Sequence, residues 1–120
     1  MNFYKCKRCG NVSIQEKPLG ECSGDAEELI PNTTDAAGEK HVPVAEVNGS
    51  TVTVRVGSVE HPMLEVHYIT WIVLETSKGY QKKNLNPGEK PVAVFALAEG
   101  EAPVAAYEYC NLHGLWKSEI

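Results

Sequence analysis

The sequence predicts an all-β fold, an immunoglobulin-like antiparallel β-sandwich of about seven strands behind a small N-terminal unit. Three observations carry that expectation. Val52, Val54 and Val56 alternate with Thr51, Thr53 and Arg55, the period of a strand with one buried and one wet face. Turn signals recur at short intervals, at Asn48-Gly49, Ser77-Lys78-Gly79, Asn86-Pro87-Gly88 and Glu99-Gly100. Helical periodicity is almost absent, so no long amphipathic helix competes with the strands.

Taken in order, the chain opens with Cys6-Lys7-Arg8-Cys9-Gly10, two thiols on a tight turn that the glycine permits. A short strand is expected over residues 11–15, followed by Cys22 and an acidic stretch holding Asp25, Glu27 and Glu28. Pro31-Asn32-Thr33-Thr34-Asp35-Ala36-Ala37-Gly38 has the composition of a connector, which places a domain boundary near Asp35 and gives domains 1–35 and 36–120. Val42, Val44 and Val47 then approach the Asn48-Gly49 hairpin turn, and Thr51 to Val56 returns from it. Further strands are expected over 68–75, 81–85, 92–97 and 104–109, the last running directly into Cys110.

Composition narrows the function. At 120 residues and 42% hydrophobic, the chain can bury a core. Its net charge of −5 and pI near 5.3 argue against nucleic acid as a partner, since Lys5-Cys6-Lys7-Arg8 is the one basic knot. Apolar runs such as Trp71-Ile72-Val73-Leu74 are far too short to span a bilayer, and Met1-Asn2-Phe3-Tyr4-Lys5 leads into no signal-peptide core. The expected setting is the cytoplasm, without a membrane partner. There, the Cys-x-x-Cys step reads as metal or redox chemistry rather than as part of a secreted disulfide framework.

The candidate ligands fall in two groups. Near the C-terminus, Tyr109-Cys110-Asn111-Leu112-His113-Gly114-Leu115-Trp116 sets a thiol and an imidazole three positions apart. His41, His61 and His67 lie at strand ends or in turns of the same domain; one such histidine is ordinarily just solvated. Four imidazoles and one thiolate together make a donor set suited to iron, copper or zinc, provided the loops meet. In the N-terminal segment, Cys6, Cys9 and Cys22 supply only three sulfurs. Either Ser23, Asp25 or water completes that site, or the knuckle is vestigial and holds no metal. Trp71 and Trp116 read as core or shielding aromatics, Met63 as packing, and Pro62 as the residue that fixes the turn presenting His61.

Several of these runs together resemble a known family. They are Asn32-Thr33-Thr34-Asp35-Ala36-Ala37, Glu39-Lys40-His41-Val42-Pro43, Val56-Gly57-Ser58-Val59, His61-Pro62-Met63, His67-Tyr68-Ile69, Pro87-Gly88 and Cys110-Asn111-Leu112-His113-Gly114. The chain is similar to superoxide reductases in their two-domain desulfoferrodoxin form. The resemblance implies a desulforedoxin-like domain at 1–35 and a catalytic domain at 36–120. It implies one non-haem iron per chain, held equatorially by His41, His61, His67 and His113 and axially by Cys110. Lys40 and Glu39 are the implied catalytic residues, Lys40 drawing in the superoxide anion and serving proton delivery, and Glu39 closing on the open site after oxidation.

The implied reaction is one-electron reduction of superoxide to hydrogen peroxide without dioxygen release, a detoxification step in oxidative stress. An external donor such as rubredoxin and a homodimeric assembly are implied as partners. Ser23 stands where the family's fourth N-terminal cysteine belongs, which casts doubt on a second iron or zinc at Cys6, Cys9 and Cys22 and leaves metal binding and a disulfide both open there. The alternative reading is an electron-carrying iron or copper protein on a similar sandwich. A closed structural zinc site is a further rival, for which five donors are one too many.

Overall fold

The computed structural model describes residues 1–120, which fall into two units, Met1–Ile30 and Pro31–Ile120. In the first, β1 (Phe3–Cys6) lies between β2 (Val12–Ile14) and β3 (Ala26–Glu28) in an antiparallel sheet. Phe3 and Cys6 are buried. Gly10 adopts a left-handed φ of +78° in the β1–β2 turn and donates its N–H to the Cys6 carbonyl at 2.8 Å, which bends the two-cysteine loop back on itself. A single 3₁₀ turn, Gly20–Cys22, carries the third cysteine.

The second unit is a sandwich of seven strands in two antiparallel sheets, β10-β9-β6-β7 and β4-β5-β8. The strands are β4 (Pro43–Asn48), β5 (Thr51–Val56), β6 (Ile69–Thr76), β7 (Gly79–Asn84), β8 (Val92–Ala96), β9 (Pro103–Cys110) and β10 (Gly114–Glu119). The immunoglobulin-like, all-β expectation therefore holds. The alternation in β5 is realised, with Val52, Val54 and Val56 buried and Arg55 exposed. They pack with Ile69, Ile72, Leu74, Leu85, Phe95 and Ala106 in a core that reaches as far as Cys110.

Three local features lie outside what the strand pattern implied. The register between β6 and β9 shifts between Ile69 and Trp71, a β-bulge at Thr70 that turns both Ile69 and Ile72 into the core although they are an odd number of positions apart. Thr70 Oγ1 donates to the Tyr109 carbonyl at 3.0 Å and secures the bulge beside Cys110. The chain also makes a final strand, β10, because Gly114 at φ +79° completes the tight turn after Cys110. Finally, one turn of helix, α1 (Gly38–His41), forms just ahead of β4.

The placement of α1 depends on Gly57. A Cβ there would stand 2.7 Å from the Glu39 carbonyl oxygen and 3.0 Å from both the Lys40 carbonyl carbon and the Val42 carbonyl oxygen. All three are backbone atoms, which a flexible side chain cannot relieve by moving. Val59 N–H and Ser58 Oγ donate to the same Glu39 carbonyl, at 2.9 and 3.2 Å, so loop 57–59 and α1 are seated on each other. Gly57→Ala is expected to lower stability by roughly 1–3 kcal/mol through overpacking. Gly38→Ala meets nothing within 4 Å and is expected to be neutral or slightly stabilising. Thermal unfolding of the two variants beside the parent protein checks the contrast.

Candidate metal centre

Four histidines reach one point from four different segments. His41 ends α1, His61 lies in the loop after β5, His67 precedes β6, and His113 sits in the β9–β10 turn. Their ring centroids mark the corners of a near-square. Successive separations are 4.7 Å for His41–His61, 4.7 Å for His61–His67, 5.1 Å for His67–His113 and 4.9 Å for His113–His41. The diagonal from His41 to His67 is 6.4 Å. Neighbouring rings meet at 77° to 88°, edge against face in pinwheel order.

Hydrogen bonds fix which nitrogens point inward. His41 Nδ1–H donates to the Ala37 carbonyl at 2.8 Å, and His61 Nδ1–H donates to the Pro62 carbonyl at 2.6 Å. A carbonyl oxygen only accepts, so each Nδ1 carries the proton and each Nε2 of the neutral ring presents a lone pair. Desolvation drives His61 down to about 4 and lowers His41 and His67 as well, so these rings are neutral near pH 7. Yet His41 Nε2 lies 3.2 Å from His61 Nε2. Two lone pairs at that separation repel each other and share no proton. His113 Nδ1 adds a third nitrogen 3.1 Å from His41 Nε2, and His67 Nε2 is buried with no hydrogen-bond partner. A cation among these nitrogens converts the repulsion into attraction, and the donor set fits a metal on that ground.

The sulfur completes the set. Cys110 Sγ is fully buried, 3.6 Å from His61 Nε2 and 3.9 Å from His113 Nδ1. The donor atoms of His41, His61, His67 and Cys110 all lie within 4.8 Å of one another; His113 stands beside that group through its contacts to His41 and Cys110. Burial pushes the Cys110 thiol up, while the backbone N–H groups of Leu112 and His113 donate to the sulfur and pull the other way. The Cys-Asn-Leu-His turn is short enough for both bonds, as its spacing suggested.

The surroundings separate dry from wet sides. Trp116, 5% exposed, packs against His41 at 5.0 Å between ring centroids and donates its Nε1–H to the His113 carbonyl at 3.1 Å. Trp71 stacks on Tyr109 instead. Met63 Sδ accepts the Ile69 N–H at 3.3 Å and packs against the core, as its reading as a packing residue expects. A cavity of about 400 Å³ opens beside His61, with Lys40, Met63 and Lys90 in its wall. Desolvation is the main cause of the lowering at His67 and His41; Lys40 is close enough to add to it at His67, and Glu39 close enough to oppose it slightly at His41.

Comparison with known proteins agrees with this geometry. The desulfoferrodoxin family profile matches residues 33–119. The desulfoferrodoxin of Syntrophotalea carbinolica is 48% identical over 99% of this chain and 96% of its own. The chain belongs to the desulfoferrodoxin family. The superoxide reductase of Treponema pallidum superposes with a TM-score of 0.81 at 40% identity, covering 98% of each chain. That of Giardia intestinalis, described as a 1Fe enzyme, gives 0.60 at 38% identity over 68% of this chain and 97% of its own.

Against the family pattern, the N-terminal cysteines take a different form. Cys6 and Cys22 are joined as a disulfide, and Cys9 Sγ lies 3.5 Å from Cys22 Sγ. The two candidates for a fourth ligand are engaged elsewhere: Ser23 Oγ donates to the Gly20 carbonyl at 2.9 Å, and the Asp25 carboxylate pairs with Arg8 at 3.3 Å. Bonded sulfurs are not thiolate donors, so with this disulfide formed Cys9 is the one free thiol of the cluster.

Sequence reading passed over two contributors. The carbonyls of Ala37 and Pro62 set the histidine tautomers, and backbone groups carry no residue signature. Glu108 is fully buried with neither carboxylate oxygen hydrogen-bonded, and burial raises its pKa well above the usual range, which keeps it a neutral acid. Its signal was present: two positions before Cys110 on one strand, it shares the inward face with Ala106 and Cys110.

Metal binding should be visible as stability. Ferrous ion added anaerobically to metal-free protein is expected to raise Tm, by an increment equivalent to about 2.7 kcal/mol when free metal is a hundredfold above Kd. His61→Ala and Cys110→Ser should each lose most of that increment, as read by calorimetry with metal analysis alongside.

Proposed function

We propose that the chain is a superoxide reductase, joining superoxide, one electron and two protons into hydrogen peroxide without releasing dioxygen. The observation that carries this reading is the square of four imidazoles closed by the buried Cys110 sulfur, beside a cavity that holds Lys40. His41, His61, His67, His113 and the Cys110 sulfur would together hold a single non-haem iron. When bound, ferrous iron supplies the electron.

The chain's own residues do the remainder. Superoxide is an anion and the protein carries a net charge of −5, so the mean field opposes approach. Lys40, in the cavity wall, provides the local positive charge that reverses this, and it orients the water that delivers protons to product. Glu39, the neighbour of Lys40 on α1, is the carboxylate assigned to displace product and shield the site after oxidation. Trp116 keeps water from the His41 face, while the N–H groups of Leu112 and His113 favour the thiolate of Cys110 over the thiol.

Domain roles follow the same reading, with the catalytic domain at 36–120 and the small domain at 1–35. The electron donor is taken to be an external rubredoxin-type protein. Self-association through the small domain is supported by Leu19 and Ile30, which expose 90% and 58% of their surface. No helix is long and apolar enough to cross a membrane.

Reduced, iron-loaded protein should consume superoxide and yield one peroxide per electron it holds, with no dioxygen evolved. Failure of that stoichiometry would sink the assignment. Oxidised protein should show a thiolate-to-iron charge-transfer band in the red, absent in Cys110→Ser. Lys40→Ala should slow the reaction with superoxide at least about tenfold and flatten its dependence on ionic strength. Pulse radiolysis across a salt series measures both effects.

A further inference from the structure

The N-terminal unit holds three sulfur atoms within 4.8 Å of one another, two of them bonded and one free. Their exposures differ. Cys6 is fully buried, Cys22 is half-buried, and Cys9 is exposed. The free sulfur is therefore the one that solvent and other molecules can reach. The two loops are tied together by bonds that do not involve sulfur: Arg8 pairs with both Glu21 and Asp25 at 3.3 Å, and Lys7 N–H donates to the Asp25 carbonyl at 2.9 Å. Cys9 and Cys22 are thus kept in reach of each other whichever pair is joined.

We propose that this unit is a thiol–disulfide exchange site, with Cys9 as the entry nucleophile, Cys22 as the shared sulfur and Cys6 as the buried leaving group, and that its partner is a dithiol reductant. In the internal step, Cys9 releases its proton to solvent and its thiolate attacks Cys22 Sγ. The Cys9–Cys22 bond forms, the Cys6–Cys22 bond breaks, and Cys6 leaves as a thiolate that takes up a proton. No electron enters or leaves. The exchange moves the disulfide from a buried sulfur to an exposed one. A thiolate of the reductant can then attack Cys9 Sγ and expel Cys22 as a thiolate. The second thiol of the reductant displaces Cys9 and leaves the reductant as its own disulfide, so the site has gained two electrons and two protons. Reduction therefore runs through Cys9, because the Cys6–Cys22 form offers no fully exposed sulfur.

The test uses the full-length, iron-loaded protein and does not read superoxide chemistry, so it stands or falls separately from the function above. Without reductant, N-ethylmaleimide labelling of acid-quenched, unfolded protein and peptide mass mapping should find one labelled N-terminal thiol per chain, divided between Cys9 and Cys6 and never on Cys22. Dithiothreitol should expose all three. Cys9→Ser should slow reduction of the remaining disulfide by dithiothreitol at least tenfold, and Cys6→Ser should carry a Cys9–Cys22 disulfide. Three labelled thiols without reductant would overturn the proposal, as would label on Cys22. Label confined to Cys9 together with an unchanged reduction rate in Cys9→Ser would do the same. A second metal ion per chain that protects all three cysteines would replace the exchange site with a metal site.

Discussion

The sandwich domain is built around a repulsion. Nitrogen lone pairs of the neutral His41 and His61 imidazoles are held little more than 3 Å apart, an arrangement that side chains free to rotate would abandon. Rotation is blocked at two of the rings by the backbone carbonyls of Ala37 and Pro62, each of which fixes an Nδ1–H and so aims an Nε2 inward. Those carbonyls are themselves fixed. Ala37 caps the single turn of α1, and α1 can lie where it does only because residue 57 has no Cβ. A glycine with no chemistry of its own thus sets the orientation of a ligand sixteen positions earlier in the chain.

The same dependence runs through the sulfur. Cys110 closes β9 and faces the core, paired with Ile69 at the point where the bulge at Thr70 begins. A regular register would leave Ile69 and Ile72 on opposite faces of the sheet; the bulge lets both bury beside the sulfur. Low dielectric around Cys110 raises the cost of an anion there, and the two N–H donors from Leu112 and His113 offset part of that cost. Glu108, the next inward residue along β9, would add a second negative charge to the same region if ionised. Burial without a hydrogen-bond partner raises its pKa well above the usual carboxylate range, and any charge it carries opposes the thiolate of Cys110. By contrast, Lys40 faces a cavity open enough for solvent, where charge is cheap to hold and available to an incoming anion.

What sequence revealed and what it hid divide along physical lines. Period-two alternation, as in Thr51 to Val56, reports which face of a strand is buried, because burial selects side chains directly. Imidazoles and thiols are rare enough that five donors in strand-end positions announce a metal before any fold is known. Bulges and tautomers leave no such trace. Thr70 is an ordinary strand residue in every respect except that the partner strand skips it. β10 was hidden because Lys117, Ser118 and Glu119 are polar; its pairing comes from backbone bonds to β9, and only Leu115 and Trp116 are buried. The helical turn at Gly38–His41 is too short for a periodic signal.

The two sulfur-bearing sites show how donor number decides chemistry. At the sandwich site, five donors converge and the facing Nε2 atoms of His41 and His61 cannot satisfy each other, so a cation between them relieves the repulsion. In the N-terminal unit, three sulfurs converge beside a serine whose hydroxyl turns back to its own loop. Three thiolates leave a tetrahedral ion one ligand short, and the gain from metal binding that would offset crowding like charges is correspondingly reduced. Thiols have an alternative that imidazoles lack. Two of them can relieve the crowding by bonding to each other, and an odd third sulfur then remains within attacking distance of the bond. With the Ser23 hydroxyl turned to its own loop, the three-cysteine knuckle can satisfy itself, with one thiol left to exchange.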